Sequence, residues 1–388
     1  MATRSGKPVR RIGILTCGGD CPGLNAVIRA VAKPAMTTST VSPHKIEVYG
    51  FLDAMRGLVF GNYVKLTDKM VTGILTLGGT ILGTSNKDNP FEMPVKKGKK
   101  MTKVDMSRRC VANYKKLKLD ALVVIGGDGT MAMAYKLAKM GINIVGVPKT
   151  IDNDLHATDT TFGFDTAVNT ATEAIDKLHT TAESHHRAMV IEIMGRYAGW
   201  LTLHAGLAGG ADIILLPEFP YELSQVLAKI KERKKEGKLF NIIAISEGAR
   251  PKGGDMVVDR VVPESHDAIR LGGIGKKLAN DIEQTLGIEA RVCQLGHVQR
   301  GGSPSPRDRI FSTRFGIAAL DLVVRRRFGR MACYKHGQIT STTLKEATKA
   351  LRLVKKDDPL IRVGLGMGIS FGSRELLSCT GKNCGVCM

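Results

Sequence analysis

Two glycine-rich turns, each between an apolar run and a helical pattern, restrict this chain more than any other feature. The first is Thr16-Cys17-Gly18-Gly19-Asp20-Cys21-Pro22-Gly23, after the apolar run 11–16; the second is Gly126-Gly127-Asp128-Gly129-Thr130, after 121–125. A short aliphatic run that ends in glycine and hands over to a helix reads as a βα unit with its strand buried on both faces. Similar runs occupy 45–51, 142–147, 188–193, 212–216, 241–246 and 291–295, with helical patterns over 129–140, 166–181 and 221–235. Pro22 is expected to open the helix after the first turn, because proline lacks the N–H that has no partner there. Such alternation predicts an α/β fold of parallel sheets covered by helices. No Pro-, Ser- or Gly-rich linker divides the chain, so two sheets sharing a cleft, with the chain crossing between them more than once, is the expected arrangement. The stretch 90–103 is expected to be a surface loop.

A chain of 388 residues can bury a sizeable core and has room for two or three domains. No window of about eighteen apolar residues is present, which argues against a membrane span. The basic start is not followed by a long apolar segment, so a cytoplasmic protein is expected. The formal charge of +21 gathers in runs at 96–103, 115–118, 231–238 and 325–330. These read as solvated faces; no aromatic residues interleave with them as nucleic-acid stacking would require. A basic field also suits anionic, phosphorylated substrates. Cys110, Cys293 and Cys333 lie in apolar surroundings and are expected to be reduced core residues. Near the end, Cys379, Cys384 and Cys387 are spaced like part of a metal site but lack an evident fourth ligand.

The chemistry concentrates in Val147-Pro148-Lys149-Thr150-Ile151-Asp152-Asn153-Asp154-Leu155-His156. Two carboxylates with one residue between them, beside a lysine and a threonine, follow an apolar strand. Open α/β sheets bind ligands at the carboxyl ends of their strands. One carboxylate there can take a proton from an alcohol while its neighbour helps hold a cation, a pattern that suggests phosphoryl transfer to a hydroxyl. The glycine turns can cradle a polyphosphate on backbone N–H groups, and Asp128 can support Mg²⁺, which prefers oxygen ligands. Arg187, Arg196, Arg291 and Arg300, with His297, sit beside predicted strands and suggest recognition of a sugar phosphate, because guanidinium groups pair with phosphate oxygens. Glu247 can accept hydrogen bonds from sugar hydroxyls.

The strings G-G-D-C-P-G-L-N, G-G-D-G-T, P-K-T-I-D-N-D, E-I-M-G-R-Y-A-G-W-L, S-E-G-A and L-G-H-V-Q-R-G-G-S-P resemble the 6-phosphofructokinase family, in its order, from about residue 11 to 309. The resemblance implies two Rossmann-like domains with mainly parallel sheets flanking a cleft, assembled as a homodimer or homotetramer. It implies a phosphoryl-donor domain of 1–163 plus about 298–349, a fructose-6-phosphate domain of 164–297 plus about 350–375, and a Cys-containing tail of 376–388. Carried over residue by residue, Asp152 would be the general base toward the 1-hydroxyl of fructose 6-phosphate. Lys149 and Thr150 would act at the transferring phosphoryl group, and Asp154 would support the metal region. Asp128 would hold Mg²⁺, while Gly18, Lys87, Gly129 and Thr130 would line the donor. Ile151, Met194, Gly195, Arg196 and Glu247 would line the sugar, with Arg196 also catalytic. His297 and Arg300 would grip its 6-phosphate, and Arg187 and Arg291 would reach the sugar phosphate of a neighbouring subunit.

The family uses ATP or pyrophosphate. Pyrophosphate enzymes usually carry aspartate where Gly129 stands, so glycine leaves room for a nucleotide. They also usually carry the lysine found here at 149, where ordinary bacterial ATP enzymes have glycine. The combination resembles a mixed-substrate branch with ATP-using members. Met133, near the expected adenine, and Asn86, where an arginine is common, depart from the ATP pattern. ATP is the expected donor and pyrophosphate the alternative. An NAD or lipid kinase is supported only by G-G-D-G-T, and a nucleic-acid-binding protein only by net charge.

Overall fold

A computed structural model of the protein describes residues 7–98, 100–262 and 268–377. The cysteines at 379, 384 and 387 lie outside the described residues. The chain forms two compact units and passes from one to the other after Thr166, Gln299 and Arg352.

The first unit is built on a seven-stranded sheet. Its order across the sheet is Gln338–Thr343, Arg330–Lys335, Ile144–Pro148, Ala121–Gly126, Arg11–Thr16, Glu47–Phe51 and Tyr63–Lys65. The five inner strands are parallel; each edge strand joins antiparallel. Ala121–Gly126 and Ile144–Pro148 are buried at every position, as helices on both faces require. Leu15, Phe51, Met55, Leu58, Leu122, Val124, Leu137, Ile144 and Met331 share one buried cluster. Each large side chain so buried contributes about 1.5–3 kcal/mol.

Three local expectations need correction. The helix after the first turn is Leu24–Met36, so it begins two residues beyond Pro22. Gly23 precedes it at φ +107°, and a Cβ there would lie 2.4 Å from Ser312 Oγ, so the backbone and the packing both demand glycine. The stretch 90–103 contains a hairpin, Met93–Lys97 with Lys100–Val104, because Met93 is fully buried in the core and draws its strand inward. Among the cysteines, Cys110 and Cys333 are buried, but Cys293 is only half-buried because it lies on an edge strand.

The second unit has a four-stranded parallel sheet in the order Ala290–Gln294, Ala188–Ile193, Asn241–Ser246, Ile213–Leu215. Val190, Ile213, Leu215, Ile243, Ile245, Ile274, Leu278 and Ile282 form its core. No helix among the described residues is long and apolar enough to cross a membrane.

Asp308 is buried in the first unit and holds the start of the Phe164–His185 helix. Its carboxylate accepts from Gly163 N (3.0 Å), Thr166 N (2.8 Å) and Thr166 Oγ1 (2.6 Å). Burial pushes its pKa up to about 6 against those lowering hydrogen bonds. A carboxyl raised above its unfolded value favours the folded state most below about pH 4, and that contribution is lost as pH rises through about 6. Asp308→Asn cannot titrate. The stability of the natural protein relative to this variant should therefore fall between pH 4 and 6, by at most about 3 kcal/mol. Urea unfolding of both proteins across that range checks it; a constant difference would refute the assignment.

Candidate active site

In the first unit the two glycine turns and the Lys149–Asp154 segment converge. Gly18 has φ +84°, and a Cβ placed on it would lie 3.4 Å from Lys149 Nζ and 3.5 Å from Thr130 Oγ1. Lys149 Nζ donates to Gly19 O, and Lys149 N donates to Gly126 O at 3.0 Å. A Cβ on Gly127 would lie 3.4 Å from Lys149 O and 3.9 Å from Thr150 Cβ. Lys149 is therefore buried where both turns approach, and burial, first among its causes, lowers its pKa. Asp128 is exposed at the first position of the Asp128–Lys139 helix; Gly129 is half-buried and Thr130 buried behind it. A helix start with free N–H groups suits an anion. Lys87 is exposed; its N–H donates to Ser85 Oγ, and the carbonyl of Ser85 accepts from Gly18 N, so Lys87 sits beside the first turn.

The Lys149–Asp154 segment is braced partly by its own side chains and partly by Thr161. Asp152 N donates to Thr150 Oγ1 at 3.0 Å. Thr161, which the sequence did not single out, donates through Oγ1 to Thr150 O (2.7 Å) and through N to Asn153 Oδ1 (3.1 Å). Ile151 is fully buried. Asp152 is itself 6% exposed, and its Oδ1 is buried without a hydrogen-bond partner among the described residues. An unpartnered buried acceptor costs about 1–3 kcal/mol, so its presence calls for a ligand that fills the need.

In the second unit, Met194, Gly195 and Arg196 form a tight turn after the Ala188–Ile193 strand. Gly195 has φ +147°, and a Cβ there would meet Ala198 O at 2.5 Å. Arg196 has φ +52°. Glu247 follows the neighbouring strand, and its Oε1 accepts from Gly195 N (3.4 Å) and Arg196 N (3.1 Å). Part of the glutamate thus fixes the turn, a role beyond the sugar contact expected of it. Gln299, another residue passed over in the sequence, accepts from Met194 N at 3.0 Å and is fully buried. Its Nε2 has no partner among the described residues. The only signal for it was its place inside the G-H-V-Q-R string.

Within the second unit, Arg187 and Arg291, expected to serve a neighbouring subunit, lie apart from Arg196. Arg187 stands just before Ala188–Ile193 and Arg291 near the start of Ala290–Gln294, whereas Arg196 follows the carboxyl end. A six-residue strand spans about 20 Å, so within one chain Arg187 and Arg291 sit at the opposite strand ends from Arg196. Arg187 is ion-paired with Glu289 at 2.6 Å; Arg291 pairs with Glu283 at 3.2 Å and also with Glu289. His297 is exposed on the Gly296–Arg300 turn. Arg300 packs on the first glycine turn, donating to Asp20 O at 3.2 Å; a Cβ on Gly19 would lie 2.7 Å from its Nη1.

A family model described as phosphofructokinase matches residues 11–323. The chain belongs to the phosphofructokinase family. A Clostridium perfringens protein named ATP-dependent 6-phosphofructokinase 2 is 50% identical over 367 residues, covering 94% of this chain and 99% of that one. A Synechocystis ATP-dependent 6-phosphofructokinase 1 is 46% identical over 368 residues, covering 94% and 99%. Among solved structures, Pichia pastoris phosphofructokinase in the T-state superposes with a TM-score of 0.75 at 26% identity, covering 97% of this chain; the chain spans 38% of that one. Two Rossmann-like domains, the phosphofructokinase architecture, therefore account for the two parallel sheets.

Proposed function

We propose that this phosphofructokinase transfers the γ-phosphoryl group of ATP to the 1-hydroxyl of D-fructose 6-phosphate, giving fructose 1,6-bisphosphate. The observation that carries the reading is the buried, unpartnered Oδ1 of Asp152, on the segment that meets both glycine turns. As general base, Asp152 takes the proton of the 1-hydroxyl as the hydroxyl oxygen attacks phosphorus. Lys149 and Thr150 hold the phosphoryl group in line, and the backbone N–H groups at Gly18 and Gly129 with Thr130 cradle the donor; positioning and charge neutralisation do most of the work in such transfers. Met194, Gly195, Arg196 and Glu247 hold the sugar, and His297 with Arg300 its 6-phosphate.

The residues present fit Mg²⁺. The ion needs only one or two carboxylates and takes its other oxygens from phosphate and water. Exposed Asp128, at the start of a helix, supplies such a carboxylate beside the site proposed for the donor phosphates. Bound there, the ion would neutralise charge on the donor phosphates.

Arg187 and Arg291, at the amino-terminal ends of neighbouring strands and away from Arg196, support a homo-oligomer in which they serve a neighbouring subunit, and a cytoplasmic enzyme fits the substrates. Pyrophosphate is a second reading with one observation in its favour: Lys149, buried between the glycine turns, can stabilise a leaving phosphate without help from adenosine. Initial rates with fructose 6-phosphate and Mg²⁺, comparing ATP with pyrophosphate, test the proposal. Faster turnover with pyrophosphate would overturn the ATP assignment, and no product with either donor would overturn the reaction.

Gln299→Leu strands the Met194 N–H, a loss of about 1–3 kcal/mol. The KM for fructose 6-phosphate should rise by about tenfold, and the KM for ATP should stay near normal. Steady-state kinetics in each substrate check this.

A further inference from the structure

The segment carrying Asp152 is bent, and its own side chains are only part of what holds it. Asn153 has φ +53°, a left-handed conformation that costs an L-residue roughly 1–2 kcal/mol, although asparagine tolerates it better than most. Rotation at that residue would re-aim the neighbouring carboxylate. Thr161 holds the Asn153 side chain, but the carbonyls that follow the bend are held from a distant part of the chain. Arg352 Nη1 donates to Asn153 O at 3.1 Å, and Arg352 N donates to Asp154 O at 2.7 Å. Leu351 and Leu155 form an antiparallel bridge beside them. A half-buried guanidinium on a carbonyl is a charge-assisted bond, stronger than a neutral one. It acts on the residue adjoining Asp152.

We propose that Arg352 is a positioning residue for the catalytic carboxylate. It holds the Asn153 peptide so that Asp152 keeps its free oxygen turned to the acceptor hydroxyl, and it touches neither substrate. This rests on the reading of Asp152 as the general base. In Arg352→Ala the backbone bond to Asp154 and the leucine bridge remain, so the segment stays attached while its bend loosens.

A misplacement of about 1 Å can cost about a hundredfold in rate, so kcat of Arg352→Ala should fall about tenfold to a hundredfold. KM for both substrates and the melting temperature should stay close to those of the natural enzyme. Arg352→Lys, which keeps a cationic donor, should recover most of kcat. Because Arg352 acts through Asp152, adding Arg352→Ala to an Asp152→Asn background should change kcat less than about twofold, the non-additivity expected of residues working as one unit. Unchanged kcat in Arg352→Ala would overturn the proposal. So would equal loss in the lysine variant, or full additivity in the double variant. The natural enzyme assayed alongside separates the two levels: its inactivity on fructose 6-phosphate and ATP overturns the assigned reaction, whereas its activity with a silent Arg352→Ala overturns only the role of Arg352.

Discussion

Asp152→Asn is expected to lower kcat by about a thousandfold or more, the upper range of what a general base contributes. KM for fructose 6-phosphate should change by no more than about threefold, since the base is used mainly in the transition state. The substitution is nearly isosteric. It leaves the backbone donation from Asp152 to Thr150 Oγ1 in place, and the Thr161 brace beneath Thr150 and Asn153 does not involve the altered side chain. Loss of rate would then report chemistry rather than collapse of the segment. An amide cannot accept the alcohol proton at neutral pH, and in place of a buried carboxylate oxygen without a donor it presents a neutral group. Retained kcat would remove Asp152 as the base; a large KM rise with unchanged kcat would make it a binding group instead.

The parts of this molecule legible in its sequence are those set by local pattern. Arg11–Thr16, Ala121–Gly126 and Ala188–Ile193 are aliphatic runs closed by glycine or by a glycine-bearing turn, and burial on both faces leaves them little alternative. The Lys149–Asp154 segment was legible for the same reason, as carboxylates at the end of such a run. What escaped depends on distant partners. The hairpin over 93–104 is lysine-rich and short, and only the burial of Met93 reveals it. The edge hairpin of Arg330–Lys335 and Gln338–Thr343 turns on His336 and Gly337, at φ +49° and +80°, a tight two-residue turn between strands lacking a long apolar run. Thr161, Gln299 and Arg352 carry no motif of their own; each matters because the fold brings it to a carbonyl or N–H of the site. Arg187 and Arg196 are only nine positions apart, yet the strand between them puts one at each of its ends, a separation that follows from the strand pattern alone.

Gly129→Asp should cut kcat/KM for ATP by about a hundredfold or more while sparing the KM for fructose 6-phosphate. Gly129 is half-buried in the first turn of the Asp128–Lys139 helix, between exposed Asp128 and buried Thr130. A carboxylate added there stands beside Asp128 and the site assigned to the donor phosphates. Two like charges about 4 Å apart repel by roughly 4 kcal/mol at an effective dielectric of 20, and about 1.4 kcal/mol suffices for each tenfold loss. The side chain also fills space that glycine leaves open to a nucleotide. Gly129→Asn separates the two causes, because it adds nearly the same volume without the charge. A milder loss in the asparagine variant assigns the effect to repulsion, and an equal loss assigns it to bulk. Pyrophosphate has no adenosine to exclude, so bulk alone should penalise it less, and the ratio of pyrophosphate to ATP turnover should rise in both variants. ATP kinetics untouched by the aspartate would mean that the nucleotide does not approach this turn, and the assignment of the donor to the two glycine turns would fall with it.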